Sequence, residues 1–255
     1  MSAAAETTTD ALGPRMKFAV LVPSTNTVVE PEYAGMRPPG ITNHTSRIAI
    51  PNNPITSDAD FSALMLAIKA NMMRAVDDAL TCEPGHLILG MSAETFWDGI
   101  EGSEDLRRRI LDRGAPGVTL ASDACQAALR AYGGVRRIGV ITPYMPVGDA
   151  QVQRFFTECG FEVAGLIGLA CPSPTKIAHV TAARLRQAII ELDATGVDAI
   201  VQVGTNLAMA SLAAEMETIL AKPVLAINTA TYWYALRTNG IPDQRPGFGK
   251  LLQQY

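Results

Sequence analysis

The chain contains the same piece twice, in the same order. Phe18-Ala-Val-Leu-Val-Pro-Ser24 returns as Ile138-Gly-Val-Ile-Thr-Pro-Tyr144, and His86-Leu-Ile-Leu-Gly-Met-Ser92 is echoed by Ala199-Ile-Val-Gln-Val-Gly-Thr205. Ala121-Ser-Asp-Ala-Cys-Gln-Ala-Ala-Leu-Arg130 is echoed by Asn228-Thr-Ala-Thr-Tyr-Trp-Tyr-Ala-Leu-Arg237, with a Gly three residues later in both. A duplicated α/β unit is the simplest source of such echoes. Two similar lobes facing each other leave one cleft between them.

Apolar runs of strand length alternate with amphipathic stretches, a pattern that specifies βα units and a mainly parallel sheet. Strands are expected near 17–23, 45–50, 86–91, 117–121, 137–142, 162–168, 198–203 and 223–227. Helices are expected near 58–81, 103–113, 123–132, 147–159, 180–194, 207–220 and 230–238. From Asp58, read as the N-cap, the helical spacing runs through Phe61, Leu64, Leu66, Ile68, Met72, Val76 and Leu80. The expected fold is therefore α/β, with two pseudo-symmetric lobes. Each is a mainly parallel four-stranded sheet flanked by helices, with the site in the cleft. The expected division is a disordered tail at 1–13, a first lobe at 14–122 and a second at 123–222. Residues 223–255 are expected to pack on the first lobe or across the interface.

A chain of 255 residues can bury a core of this size. Its net charge of −4 and lack of a basic stripe argue against nucleic acid as a partner. Its apolar runs are too short to span a bilayer, and residues 1–13 lack the pattern of a signal peptide. A cytoplasmic enzyme is expected. The four cysteines show no C-x-x-C spacing, and with only three histidines no metal site is expected. No G-x-G-x-x-G follows the first strand and no Walker loop is present, so neither a dinucleotide nor a nucleoside triphosphate cofactor is implied. The lack of a G-x-S-x-G elbow counts against a serine hydrolase of the α/β-hydrolase kind.

In such folds ligands sit at the carboxyl ends of the strands. That rule brings together Pro23-Ser-Thr-Asn-Thr27, Gly90-Met-Ser-Ala-Glu-Thr95, Pro143-Tyr-Met-Pro146 and Gly204-Thr-Asn-Leu207. All four are rich in small residues, hydroxyls and amides. Each precedes a helical stretch, which suits anion binding by backbone N–H groups. Helix capping is the commoner role for any single Ser, Thr or Asn.

At these loops the chain resembles a known family. Val22-Pro-Ser-Thr-Asn-Thr-Val-Val-Glu-Pro-Glu32 looks like the opening motif of maleate cis–trans isomerases. Gly90 to Gly99, ending Thr-Phe-Trp-Asp-Gly, looks like the corresponding loop of arylmalonate decarboxylases. Thr142-Pro-Tyr144 and Gly204 to Glu217 are similar to the second half of both. The resemblance covers nearly the whole chain and implies membership of the aspartate/glutamate/hydantoin racemase superfamily. It implies a cysteine at one or both pseudo-symmetric strand ends. This chain departs by having Met91 and Gly204 there, so the two-base racemase and cysteine-adduct isomerase mechanisms both lose their central residues. By resemblance Asn26 holds a carboxylate, with Ser24 in the same loop. Ser92, with Ala93 and neighbouring N–H groups, forms a donor pocket that Tyr144 completes. Thr205 and Asn206 add polar groups from the second lobe.

Replacement acids and bases are sought nearby. His44 and Arg47 lie just before or within the second strand; Arg47 can pair with a second carboxylate or form a structural ion pair. His179 follows the Cys171-Pro-Ser-Pro loop expected to hang over the cleft. Glu94 lies three residues after Met91 and serves either as acid or base or as a first-turn helix charge. Cys171 alone among the cysteines is placed to face the cleft. His86, at the opposite strand end, is read as structural, and Phe96 is a candidate pocket wall. The reading is a cofactor-independent lyase or isomerase acting on a small mono- or dicarboxylate through a stabilised enolate or enediolate. The alternatives are a hydrolase of a small amide or lactone, and a non-catalytic carboxylate-binding protein. The Tyr232-Trp-Tyr234 cluster fits either a subunit contact in a homo-oligomer or packing within the chain.

Overall fold

The computed structural model describes residues 10–255. The first sheet holds β1 (Met16–Pro23), β2 (Ile41–Ile48), β3 (His86–Leu89) and β4 (Val118–Thr119), in the order β2-β1-β3-β4. The second holds β5 (Arg137–Thr142), β6 (Glu162–Gly168), β7 (Ala199–Gln202) and β8 (Val224–Ala226), in the order β6-β5-β7-β8. Every pairing is parallel. The two sheets thus repeat one topology, as the doubled sequence requires. β3 and β7 are buried along their whole length, which is why they read as unbroken apolar runs. β2 begins at Ile41 rather than near 45, because an edge strand exposed at His44 and Thr45 carries polar residues that mask its start.

The helices are α1 (Val29–Met36), α2 (Asp58–Leu80), α3 (Ala93–Phe96), α4 (Gly99–Leu111), α5 (Ala121–Tyr132), α6 (Pro146–Glu158), α7 (Ala182–Asp193), α8 (Ala210–Leu220), α9 (Ile227–Thr238) and α10 (Lys250–Gln254). The cap of α2 is Ser57, one residue before the expected Asp58; its side chain accepts a bond from the Asp60 N–H. Helix α1 is absent from the sequence reading. Its Pro31 looks like a breaker but lies in the first turn, where its missing N–H costs nothing.

The repeated segments 121–130 and 228–237 form α5 and α9, and these two helices pack on each other at the junction of the lobes. α9 is buried on nearly every side, with Tyr232 inserted between Phe18 and Tyr33 of the first lobe. Its hydroxyl donates to Asn43 Oδ1 at 3.1 Å, so Tyr232 packs within the chain. The segment 223–255 is therefore divided: β8 completes the second sheet, whereas α9 reaches onto the first lobe. The tail expected at 1–13 lies outside the described residues up to residue 9. Asp10 to Gly13 form a turn in which Asp10 Oδ1 accepts the N–H groups of Leu12 and Gly13 at 3.0 and 2.8 Å. No helix among the described residues is long and apolar enough to cross a membrane.

Candidate active site

The strand order of each sheet reverses direction between its first and third strands, and a crevice opens beyond those carboxyl ends. The loops after β1, β3, β5 and β7 meet there and line one pocket, of about 580 Å³ with its open mouth included. Asn26, Met91, Ser92, Ala93, Tyr144, Gly204, Thr205 and Asn206, all foreseen from the sequence, line it.

A hydrogen-bonded chain of four buried side chains crosses from lobe to lobe. Asn26 Oδ1 accepts the N–H groups of Val28 and Val29 at 2.9 and 3.0 Å, which fixes the amide orientation and turns Nδ2 toward Thr205 Oγ1 at 3.3 Å. The Thr205 N–H donates to Ser92 Oγ at 3.2 Å, and Ser92 Oγ lies 2.6 Å from the Tyr144 hydroxyl. Whichever hydroxyl donates in the Ser92–Tyr144 pair, one proton remains for a guest. The Thr205 hydroxyl and the second Nδ2 hydrogen of Asn26 add two more. Burial pushes the Tyr144 phenol well above its ordinary pKa, so it remains a neutral donor. Asn206 is different. Its Oδ1 accepts from Thr27 N–H, and its Nδ2 donates to the carbonyls of Thr25 and Pro174, so it clamps loops together with its amide fully occupied.

The remaining walls are apolar. Phe61, Leu64 and Ile68 project from one stripe of α2, and Ile50, Ile55 and Ile177 come from loops over the mouth. The loops on either side of that mouth are tied by Ile55 N–H to the Pro172 carbonyl at 2.8 Å and by Thr175 N–H to Asn52 Oδ1 at 3.1 Å. Among the described residues, no Lys, Arg or His lines the pocket.

Several expectations need correction. Ser24 is exposed and bonds the backbone of Ile50 in the loop after β2; Thr25 faces the pocket instead. Arg47 is exposed on the edge strand, paired with Glu30 at 2.7 Å and with the Asn26 carbonyl at 2.9 Å. His44, on the same strand, is also exposed and meets Thr42 at 2.9 Å. His179 is exposed beside Lys176. Glu94 is buried but turned away from the pocket, 3.8 Å from Lys69, with its Oε2 unpartnered; burial raises its pKa to about 7. Phe96 packs against Phe155 and Phe156 rather than the pocket, whose aromatic wall is Phe61. Three of the four helix N-termini that follow these loops are occupied and not open to an anion. Asn26 occupies that of α1, Asp58 accepts from Val147 N–H in α6, and Glu32 occupies that of α8. As expected, His86 is structural: it is buried against Thr119, and desolvation lowers its pKa to about 4.

Met91 and Gly204 line the pocket beyond the ends of β3 and β7, and the pocket also has a thiol. Cys171 lines it, on the loop after β6, with its N–H bonded to the Pro143 carbonyl at 3.0 Å. Burial pushes the thiol up to about 11.

Residues 55–252 match the arylmalonate decarboxylase family. The chain belongs to that family. Among its relatives, a maleate isomerase of Pseudomonas putida is 26% identical over 247 residues, covering 92% of this chain and 96% of that protein. A maleate isomerase of Geobacillus stearothermophilus is 31% identical over 121 residues, covering 47% of this chain and 48% of that protein. The fold matches the maleate cis–trans isomerase of Nocardia farcinica, solved with a covalently bound succinylcysteine intermediate. Its TM-score is 0.84 at 22% identity, over 94% of this chain and 98% of that one. An arylmalonate decarboxylase variant in the liganded form matches with a TM-score of 0.77 at 21% identity, over 92% and 97% of the two chains. The arylmalonate decarboxylase family fold thus holds both isomerases and lyases, and an enzyme of that broad type is what membership supports.

Proposed function

We propose that the chain is a cofactor-independent lyase that decarboxylates an α-substituted malonate through an enediolate. One observation carries this reading: a neutral donor cluster contributed by both lobes faces an otherwise apolar pocket without a cation. One carboxylate is held by Ser92, Tyr144, Asn26 and Thr205. The other lies against the apolar side, where it is poorly solvated and destabilised relative to neutral CO2. The bond to that carboxylate breaks, its electron pair passes into the retained carboxylate, and CO2 leaves. The donors then meet the charge that develops on the enediolate, usually the largest contribution in such chemistry. Cys171 Sγ–H gives its proton to the α-carbon, and the thiolate regains one from water.

The state of the thiol separates this reading from isomerisation through a cysteine adduct. With its pKa near 11, Cys171 is protonated at neutral pH, which suits an acid and not a resting nucleophile. Maleate fits less well, because its second carboxylate is retained throughout and would have no cation to meet. The α-substituent is accommodated by Phe61, Leu64 and Ile68.

The test is proton NMR in D2O with phenylmalonate, alkylmalonates and maleate. The expected result is loss of one carboxylate from a substituted malonate, with deuterium at the α-carbon of the product. Conversion of maleate to fumarate with every malonate untouched would overturn the reading in favour of an isomerase.

A further inference from the structure

A half-buried acid outside the pocket, Glu32, accepts three hydrogen bonds. Glu32 sits on α1, in the first lobe, two turns from the Asn26 that caps the same helix. Its Oε1 accepts the N–H groups of Met209 and Ala210 at 3.1 and 2.9 Å, at the N-terminus of α8 in the second lobe. Its Oε2 accepts from Asn228 Nδ2 at 2.6 Å. The same Nδ2 donates to the Thr205 carbonyl at 2.9 Å. Burial pushes the Glu32 carboxyl up, while these three donors pull it back.

We infer that Glu32 is a positioning residue, which sets the Gly204–Asn206 loop of the second lobe against the donor cluster of the first. The route is continuous. Glu32 orients the Asn228 amide, Asn228 fixes the Thr205 carbonyl, and the Thr205 N–H and hydroxyl face Ser92 and Asn26. Glu32 touches no pocket atom of its own, so its effect on turnover passes through Thr205. Asn228 Oδ1 is buried and unpartnered, so the amide orientation depends on an acceptor at position 32. A Gln at 32 offers one oxygen and one NH2 group. Its oxygen can still cap α8, but its NH2 group faces the donor side of Asn228. Rotation of the Asn228 amide relieves that conflict, since Oδ1 then accepts from Gln, and the Thr205 tether is lost. Glu32→Gln therefore separates the helix cap from the loop tether. Asn228→Ala removes the same tether from the other side and leaves the α8 cap in place.

The inference rests on the pocket being the catalytic site, and the experiment keeps the two claims apart. Backbone hydrogen exchange followed by mass spectrometry reads the loop directly, with no substrate present. The expected result is exchange about tenfold faster in the peptide holding Thr205, Asn206 and Leu207, in Glu32→Gln and Asn228→Ala alike. The double variant should be no faster than either single one, because both changes cut one route. Phenylmalonate turnover should fall about tenfold or more in kcat, with a smaller change in KM, as expected when a donor is misplaced in the transition state. Unchanged exchange in that peptide, or single-variant effects that multiply in the double, would overturn the positioning role. If the loop loosens as expected but the wild-type enzyme turns over no malonate, the positioning role stands and the proposed reaction falls.

Discussion

Placing a cysteine at position 204 should damage this protein instead of activating it. Gly204 has φ of +117°, a backbone conformation that L side chains rarely adopt. A Cβ there would lie 2.5 Å from Cδ and 2.6 Å from Cγ of Pro143, both ring atoms with little room to move. Backbone strain of this kind costs about 1–3 kcal/mol, and forcing extra atoms into a packed site costs about 1–3 kcal/mol more. For a chain of this size each kcal/mol corresponds to roughly 2–4 °C in Tm, so Gly204→Cys should melt about 5–20 °C below the wild type. Gly204→Ala should show most of the same loss, because the Cβ and not the thiol makes the clash. Scanning calorimetry gives the Tm, and the D2O assay gives the rate. A Gly204→Cys protein that melts with the wild type and turns over faster would refute the reasoning. It would mean that the Pro143 ring yields easily and that a thiol at position 204 aids turnover.

Cys171→Ala should fold normally and lose about 10²- to 10⁴-fold in kcat, the usual contribution of a positioned proton donor; turnover within a few-fold of wild type would remove the thiol from the mechanism. Glu94→Gln tests a buried carboxyl whose pKa is raised from 4.5 to about 7. Its burial stabilises the protonated fold most fully below pH 4.5, and this contribution is lost as pH rises through 7. The variant should therefore gain stability above pH 7, by up to about 3 kcal/mol, and little below pH 5. Denaturant titrations at pH 5 and 8 check this, and equal effects at both would place the strain elsewhere. Phe61→Ala should shift kcat/KM toward bulkier α-substituents by roughly tenfold, a normal scale for reshaping an apolar wall. No change in the ratio of naphthyl- to phenylmalonate would mean that the substituent lies elsewhere.

Much of the molecule was legible because duplication and strand patterning are backbone-scale signals. The strands at 137–142 and 162–168 stand where the sequence places them, and the four loops beyond the strand ends do line one pocket. Side-chain direction was not legible. His44, Arg47, His179 and Glu94 have the right chemistry and lie near the right loops in sequence, but each points elsewhere. An edge strand faces solvent on its outer side, and Glu94 turns with its helix toward Lys69. The apolar pocket walls were missed for the opposite reason. Phe61, Leu64 and Ile68 share the helical stripe that also carries core residues such as Met72, and nothing in the spacing says where core ends and pocket begins. Glu32 stood in plain view in the opening motif. Its role depends on α1, which Pro31 concealed, and on partners nearly 200 residues away.

The most direct test of the central claim is a crystal structure with phenylacetate, the product expected from phenylmalonate. The account predicts its carboxylate within hydrogen-bond distance of Ser92, Tyr144 and Asn26 or Thr205, its ring against Phe61, Leu64 and Ile68, and its α-carbon facing Cys171. A carboxylate bound instead at Arg47 or His44, with the donor cluster empty, would contradict it.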